Sequence, residues 1–569
     1  MHRLRRHRLV VLSALVALAA VAGAADEPAP SEEVTIPSLR EGLYRQWTLE
    51  PVEPEPESPE HLRSRDSSVE RLSLREAVAI ALENNPGIAV ERLGPRFARA
   101  DVERVLGAFD PELRAYGEWR RNVAPTGSAL AGALTLRERE NVFGAALEKL
   151  VRSGATVTLA FDSNELDTNS GFIGLRPQYR PELRLSISQP LLKNFGRDLT
   201  ILLVRSARVS SGIAYHQYRA EVAELVQQVV EAYWGIVQAR EGLAAERDGL
   251  RLARTLEKEN EARVRAGVLP PIAVKEAAAE AATREERVIV AENGLAVATD
   301  RLRLLLQQNP AGAFLPREID PVDSPEVRPV DTSEQDLLED AVARRPEILR
   351  ARSEIENRRI LAKVKRNNLL PDLDLNARYG LNALAGRAVP QTDFRTGEPR
   401  ITPFGGNYGE GLDRLVSNDF NSYAAGLELT VPLGNAIAEA EYTQSRIDSR
   451  RAELRYREVL SDVTLEVRKS IGDVRSNSKR ITASRLAREL AEENLEQQKK
   501  RYEVGLATTK DILDFQEKLT AARAAEIRAL IEYNVSLAAL RKASGTLLEQ
   551  FDVLLDQLPP APTPLWARF

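Results

Sequence analysis

Cysteine is absent from the 569 residues, methionine occurs once and histidine four times. That scarcity excludes a disulfide framework, a thiolate metal site and an acylated N-terminal cysteine of the lipoprotein kind. It also gives no support to a dedicated copper route. Two of the histidines fall within the first eight residues, leaving His61 and His216; a lone histidine on a long helix is ordinarily a surface or core residue. No Ser-His-Asp set, phosphate loop or metal-spaced cluster occurs, so the sequence points to no enzyme, no catalytic residue, no cofactor and no metal. Long apolar runs are also missing. Beyond the first 25 residues no stretch reaches the ~18 apolar residues of a spanning helix, so any membrane crossing must be made by strands.

Those first 25 residues read as a secretory signal: Arg3, Arg5, Arg6 and Arg8, an apolar run from Leu9 to Val21, then Ala22-Gly23-Ala24-Ala25. The formal net charge is −5, and loss of the four arginines would take it to about −9. This mildly acidic balance argues against a nucleic-acid partner.

What the chain does have is a long internal repeat in which the prolines keep register. Asn85-Pro86-Gly87-Ile88 and Phe109-Asp110-Pro111-Glu112 return 260 residues later as Arg345-Pro346-Glu347-Ile348 and Leu369-Leu370-Pro371-Asp372. Gln189-Pro190-Leu191 returns as Val431-Pro432-Leu433, and Ala266-Gly267-Val268 as Val504-Gly505-Leu506. One structural unit is therefore used twice.

Periodicity gives the unit its parts. Residues 72–107 and 333–368 have helical spacing, and each run stops at a proline. After Pro111 the period becomes two, with Leu113, Ala115, Gly117 and Trp119 opposed by Arg114, Tyr116, Glu118 and Arg120. Leu373, Leu375, Ala377 and Tyr379 alternate likewise after Pro371. Two more alternating strands, through Leu183, Leu185 and Ile187 and through Tyr423, Ala425, Leu427 and Leu429, lead into Pro190 and Pro432. Each is about ten residues, the length of a tilted transmembrane strand. Residues 200–264 and 436–504 are nearly free of helix breakers and would run on the order of 100 Å each at 1.5 Å per residue. The runs 72–107, 271–307, 333–368 and 508–546 are about half as long, so two stacked end to end match one long helix.

These residues make the chain resemble the TolC-type outer-membrane efflux proteins over roughly residues 70–548. The motifs carrying the likeness are Leu74-Arg75-Glu76-Ala77-Val78 with Asn84-Asn85-Pro86, Ser188-Gln189-Pro190-Leu191-Leu192, and Arg501-Tyr502-Glu503-Val504-Gly505-Leu506-Ala507-Thr508-Thr509 with Asp511-Ile512-Leu513-Asp514. The resemblance implies a mixed α and β fold: a homotrimeric β-barrel with four strands per chain in the outer membrane of a Gram-negative-type bacterium, continued by a long periplasmic α-helical barrel. It also implies a passive exit duct of a tripartite efflux or type I secretion system, working with an inner-membrane pump and opened by a periplasmic adaptor. The alternative is a periplasmic structural coiled-coil protein without a pore, and a polysaccharide or protein secretion duct would share the architecture.

The expected organisation is a signal (1–25), a Pro/Glu-rich disordered tail (26–70), a first repeat (71–310), a linker (311–332), a second repeat (333–548) and a C-terminal tail (549–569). Between the first two strands lie about sixty extra residues, 122–180, containing another alternating pair through Phe143, Ala145 and Leu147 and through Val157, Leu159 and Phe161. An external hairpin above the barrel is the preferred reading. The sharper one is two additional wall strands per chain, eighteen in all. Pro111, Pro190, Pro371 and Pro432 mark the barrel–helix junctions.

Asp511 and Asp514 stand one helical turn apart, just past the Gly505 turn. The simplest account makes Thr508 an N-cap with Asp511 three residues on. The resemblance implies in addition, without excluding the cap, an acidic gate of Asp511, Asp514 and Tyr502, where crowded like charges would raise the carboxylate pKa values and attract cations. The first repeat has Ala273 and Glu276 at the corresponding places. By the same resemblance Gly267, Val268, Leu269, Val504, Gly505, Leu506 and Ala507 form the tip on which the adaptor docks.

Overall fold

The computed structural model describes residues 69–127, 133–306, 318–327, 333–392, 397–553 and 555. All lie in one compact unit, Ser68–Phe569. The expected signal segment, His61, nearly all of the 26–70 tail and most of the 549–569 tail lie outside the described residues.

The first half comprises β1 (Val69–Leu72), α1 (Leu74–Asn84), α2 (Pro86–Leu106), β2 (Glu112–Pro125), β3 (Thr135–Leu150), β4 (Thr156–Thr168), β5 (Leu175–Pro190), α3 (Leu202–Arg265) and α4 (Ile272–Leu306). The second comprises β6 (Glu318–Pro321), α5 (Glu334–Arg344), α6 (Pro346–Asn367), β7 (Asp372–Asn382), β8 (Ala385–Ala388), α7 (Tyr408–Val416), β9 (Asn421–Thr430), α8 (Ala436–Glu503) and α9 (Thr509–Ser544). The long helices have 64 and 68 residues, as the absence of breakers predicts.

Positions 260 apart take the same roles. Ser73 and Ser333 cap α1 and α5 by accepting from the amides of Glu76 and Asp336, and buried Ala77, Ala81 and Ile88 answer buried Leu337, Ala341 and Ile348. The runs 72–107 and 333–368 are each two helices rather than one. Steric conflict with the proline ring pushes the preceding residue out of the helical region, and both Asn85 (ψ 115°) and Arg345 (ψ 123°) are extended. Asn85 turns the break into a new start, its Oδ1 accepting from the Gly87 amide at 2.9 Å.

The larger core packs the middle of α3, from Val222 to Val237, against α1, α4 and α9. A second core packs α8, from Val463 to Ile481, against α5, α6 and α9. Part of the expected linker is structured: β6 pairs parallel with β1. Phe551, Val553 and Leu555, at the start of the expected C-terminal tail, pack on the larger core.

The expectation of four strands per chain is corrected. One sheet runs in the order β9-β7-β5-β4-β3-β2, with β8 paired to β5, so six long strands stand side by side. The physical reason lies in the 122–180 segment. Its alternating pair is hydrogen-bonded on both flanks, to β2 and to β5, and so lies within the sheet.

The small β1–β6 pair is fastened by Tyr233 of α3, whose ring is fully buried. Its hydroxyl lies 3.0 Å from the Leu72 carbonyl and 2.8 Å from the Asp323 carboxylate, and accepts from the Asp323 amide at 3.1 Å. Tyr233→Phe should destabilise the protein by about 1–3 kcal/mol, because it leaves the Asp323 amide without its acceptor, while the Leu72 carbonyl keeps the Val322 amide and the Asp323 carboxylate keeps the Leu74 amide. The check is the thermal unfolding midpoint of the variant; an unchanged midpoint would show that the strand pair does not depend on this hydroxyl.

Candidate functional site

Two regions carry chemistry. The first is the sheet. Its long strands are antiparallel, and odd-numbered residues always oppose odd-numbered ones, so all odd positions share a face. One row of directly opposed residues crosses the six strands as Leu113, Leu147, Leu159, Leu185, Tyr379 and Tyr423. The adjacent row, on the even face, reads Glu112, Glu148, Thr158, Ser186, Arg378 and Ala424.

Each long strand also places one aromatic on the odd face: Trp119, Phe143, Phe161, Tyr179, Tyr379 and Tyr423. The remaining strand aromatic, Tyr116, is on the even face and donates its hydroxyl to Asp162. The even face is ionic, with Arg184 3.0 Å from Asp162 and Arg120 3.2 Å from Glu140. At the end remote from the prolines, α7 lies over the odd face, where the Tyr408 ring meets Phe143 and Tyr179. An apolar face that carries the strand aromatics, with charges on the opposite face, is the amphipathicity of a barrel wall.

The four prolines stand where strands meet helices: Pro111 and Pro371 just before β2 and β7, Pro190 at the end of β5, Pro432 just after β9. β2 and β9 border the sheet, and among the described residues their outer edges pair with nothing.

The second region is the remote end of the helices. α3 turns into α4 at Gly267, and α8 into α9 at Gly505. Both glycines have positive φ, 73° and 78°, a conformation that favours a residue without Cβ. The two turns share one hydrogen-bond pattern: Gly267 and Val268 donate to Val264 and Arg263, and Gly505 and Leu506 to Tyr502 and Arg501. This is the double closure that satisfies the last carbonyls of a helix.

Of the seven expected tip residues, Val268, Val504 and Leu506 are 69–70% exposed. Leu269 and Ala507 instead pack inward, against a cluster of Leu256, Tyr502, Ile512 and Leu513. Tyr502 is 5% exposed. Its hydroxyl donates to Asn260 Oδ1, and the Arg263 guanidinium lies 4.6 Å from its ring centroid. Asn260 Nδ2 donates in turn to the Ala273 carbonyl at 3.2 Å and to Thr509 Oγ1 at 3.1 Å. Tyr502 and Asn260 thus latch the two helical hairpins together. Sequence reading passed over Asn260, although a signal existed: at the repeat offset of 238 its counterpart is Gln498, also a buried amide.

Asp511 forms the reciprocal cap. Its Oδ2 accepts from the Thr508 amide and hydroxyl, both at 2.8 Å, while its own amide donates to Thr508 Oγ1. The Thr508 hydrogen bonds, aided by Arg501 and Lys510, hold the Asp511 pKa below the usual carboxylate range within the single chain. The direction is opposite to that expected from a crowded ring. Asp514, one turn on, is exposed. His216 is half-buried on α3, and burial together with Arg219 lowers its pKa. No cluster of metal-binding side chains occurs among the described residues.

A model of the family described as outer membrane efflux protein matches residues 337–546. A search of curated protein sequences returns no match. Among solved structures, the CmeC outer membrane channel of Campylobacter jejuni is similar at 15% identity and a TM-score of 0.58, covering 83% of this chain and 86% of the other. A membrane protein from Pseudomonas aeruginosa matches at 20% identity and 0.59, covering 83% and 93%. The outer membrane protein VceC of Vibrio cholerae matches at 17% and 0.56, covering 83% and 96%. At these identities the likeness to solved structures is one of fold.

The Asp511 cap has a definite pH signature. A carboxylate with a depressed folded pKa contributes stability above the ordinary value near 3.9, and that contribution is lost as pH falls through the lower folded value. Protection of the Thr508 amide from hydrogen exchange, corrected for the intrinsic exchange rate, should stay constant from neutral pH to about 4 and fall only in more acid solution. A decline already under way between about pH 6 and 5 would mean that neighbouring negative charge, not the cap, governs the group.

Proposed function

We propose that this chain is a passive exit duct of a tripartite efflux or type I secretion system, a reading supported by the outer membrane efflux protein model that matches residues 337–546 and by the fold shared with outer-membrane channels. Three copies would join their sheets into a barrel in outer-membrane lipid and their helices into a periplasmic conduit. Energy and substrate choice would come from an inner-membrane pump, and a periplasmic adaptor would open the tip. The observation that carries this reading is one continuous sheet with an apolar, aromatic-lined face and an ionic face, running into helices of 64 and 68 residues. A periplasmic coiled-coil scaffold would have no use for the apolar face.

The tip has two roles in this proposal. Val268, Val504 and Leu506, exposed beside glycines, suit packing against an adaptor's helices. Asp511 and Asp514 would contribute six carboxylates around the axis of a trimer, with Tyr502 as the latch that must release for opening. Capping and gating are compatible, since the cap fixes where the Asp511 carboxylate sits.

Two tests separate the wall from the gate. Charge at the midplane of the lipid face costs about 2–4 kcal/mol and little on the lumen side, so Leu427→Arg, near the middle of β9, should impair outer-membrane assembly far more than Glu428→Arg. Equal amounts of assembled protein for both variants would contradict the barrel register. In single-channel recordings, combined Asp511→Asn and Asp514→Asn should weaken cation selectivity and block by trivalent cations while the oligomer persists. Unchanged selectivity and block would return both residues to a purely structural role.

A further inference from the structure

We propose that the β3–β4 hairpin is part of the membrane wall, so that three copies of this chain close an eighteen-stranded barrel instead of a twelve-stranded one. The proposal rests on the duct reading above and specifies its wall.

Four observations carry it. First, the hairpin separates β2 from β5. β3 pairs with β2 from Glu112↔Glu148 to Pro125↔Thr135, and β4 pairs with β5 from Thr156↔Ser188 to Leu166↔Gln178. A four-strand wall would require β2 and β5 to be neighbours, yet three strand spacings of about 4.8 Å lie between them.

Second, the hairpin spans the full height of the sheet. Its turn docks at the base, on the junction that leads to α3: the Gly196 amide and Gln189 Nε2 both donate to the Ser153 carbonyl at 3.1 Å. Gly154 fits there with φ 88°, where a Cβ would stand 2.6 Å from the Asn194 carbonyl oxygen. A loop above the barrel would not reach this junction.

Third, the hairpin continues the pattern of the flanking strands. Leu147 and Leu159 are each 44% exposed on the apolar face, while Glu148 and Thr158 lie on the ionic face. Fourth, the remaining edges suit a second copy. β2 rises from Pro111 and β9 descends to Pro432, so an edge-to-edge contact between copies would be antiparallel, like every other long-strand pair in the sheet.

Barrel diameter grows roughly linearly with strand number, and barrels of about 16–18 strands leave an aqueous channel. The wall section would then be about half again as wide as that of a twelve-stranded duct and would pass correspondingly bulkier solutes.

Because the chain has no cysteine, single-cysteine variants assembled in outer-membrane vesicles can be probed with a membrane-impermeant maleimide. Leu147→Cys and Leu159→Cys should be as protected as the controls Leu185→Cys and Leu429→Cys, whereas Glu148→Cys and Thr158→Cys should react from the lumen. Fast labelling of Leu147→Cys and Leu159→Cys with both controls protected would overturn the eighteen-strand wall and leave the duct intact. Fast labelling of the controls as well would overturn the duct reading itself. Independently, Ala115→Cys with Ala145→Cys, an opposed pair of β2 and β3, should form a disulfide within one chain of the assembled protein. Its failure to form under oxidation would also refute the wall.

Discussion

The sheet at one end of this protein is governed by the hydrogen-bonding obligation of strands that share one apolar face. A strand set against hydrocarbon must satisfy each backbone N–H and C=O within the protein, because no water is there to do so. Six long strands meet that obligation among themselves, but the outer edges of β2 and β9 do not. An exposed apolar edge is a template for pairing, and the proposed closure with further copies would satisfy it without a cap. The alternation of apolar and polar residues through the middle of the strands then acts as a sidedness code, since a slip of one residue would exchange the two faces.

The helices face a different constraint. At about 1.5 Å per residue, a 64- or 68-residue helix runs on the order of 100 Å, and such a helix cannot bury its length against one compact core. The chain answers with separate apolar cores, two along the helices and a small one at the tip, and with polar locks at particular points. Tyr233 fastens the small parallel strand pair to α3; Tyr502 and Asn260 fasten one helical hairpin to the other at the far end. Arg284, only 2% exposed, and Thr520 of α9 both lie against Gly249 of α3, and Arg284 is paired with Glu280 at 2.7 Å. Such contacts demand specific geometry where apolar packing along a helix face tolerates sliding. A buried hydroxyl–amide bond at the tip would also suit the proposed conduit, which would have to hold one arrangement and yield to another.

Much of this was legible in the residues. Prolines in register announced the repeat, and the 260-residue offset carries equivalent caps and core positions into both halves. Alternation at Leu113, Leu185, Leu375 and Leu429 announced strands whose apolar residues the structure gathers on one face. What escaped notice did so for physical reasons. The helix breaks at Pro86 and Pro346 are local steric effects that a helical period reads straight through. The place of β3 and β4 depends on which strands they pair with, and alternation is blind to partners. Asn260 belongs to a bond spanning 242 residues, which no local pattern records. Asp511 was legible both as cap and as gate, because a capping box and an acidic pair have the same spacing.

The most direct measurement of the central claim is electrophoretic migration of outer-membrane fractions, with and without prior heating. The account predicts that the protein sediments with the outer membrane, migrates unheated as a band near three times the monomer mass, and collapses to the monomer on boiling. Recovery in the soluble periplasmic fraction, as a monomer whose migration heating does not change, would contradict it.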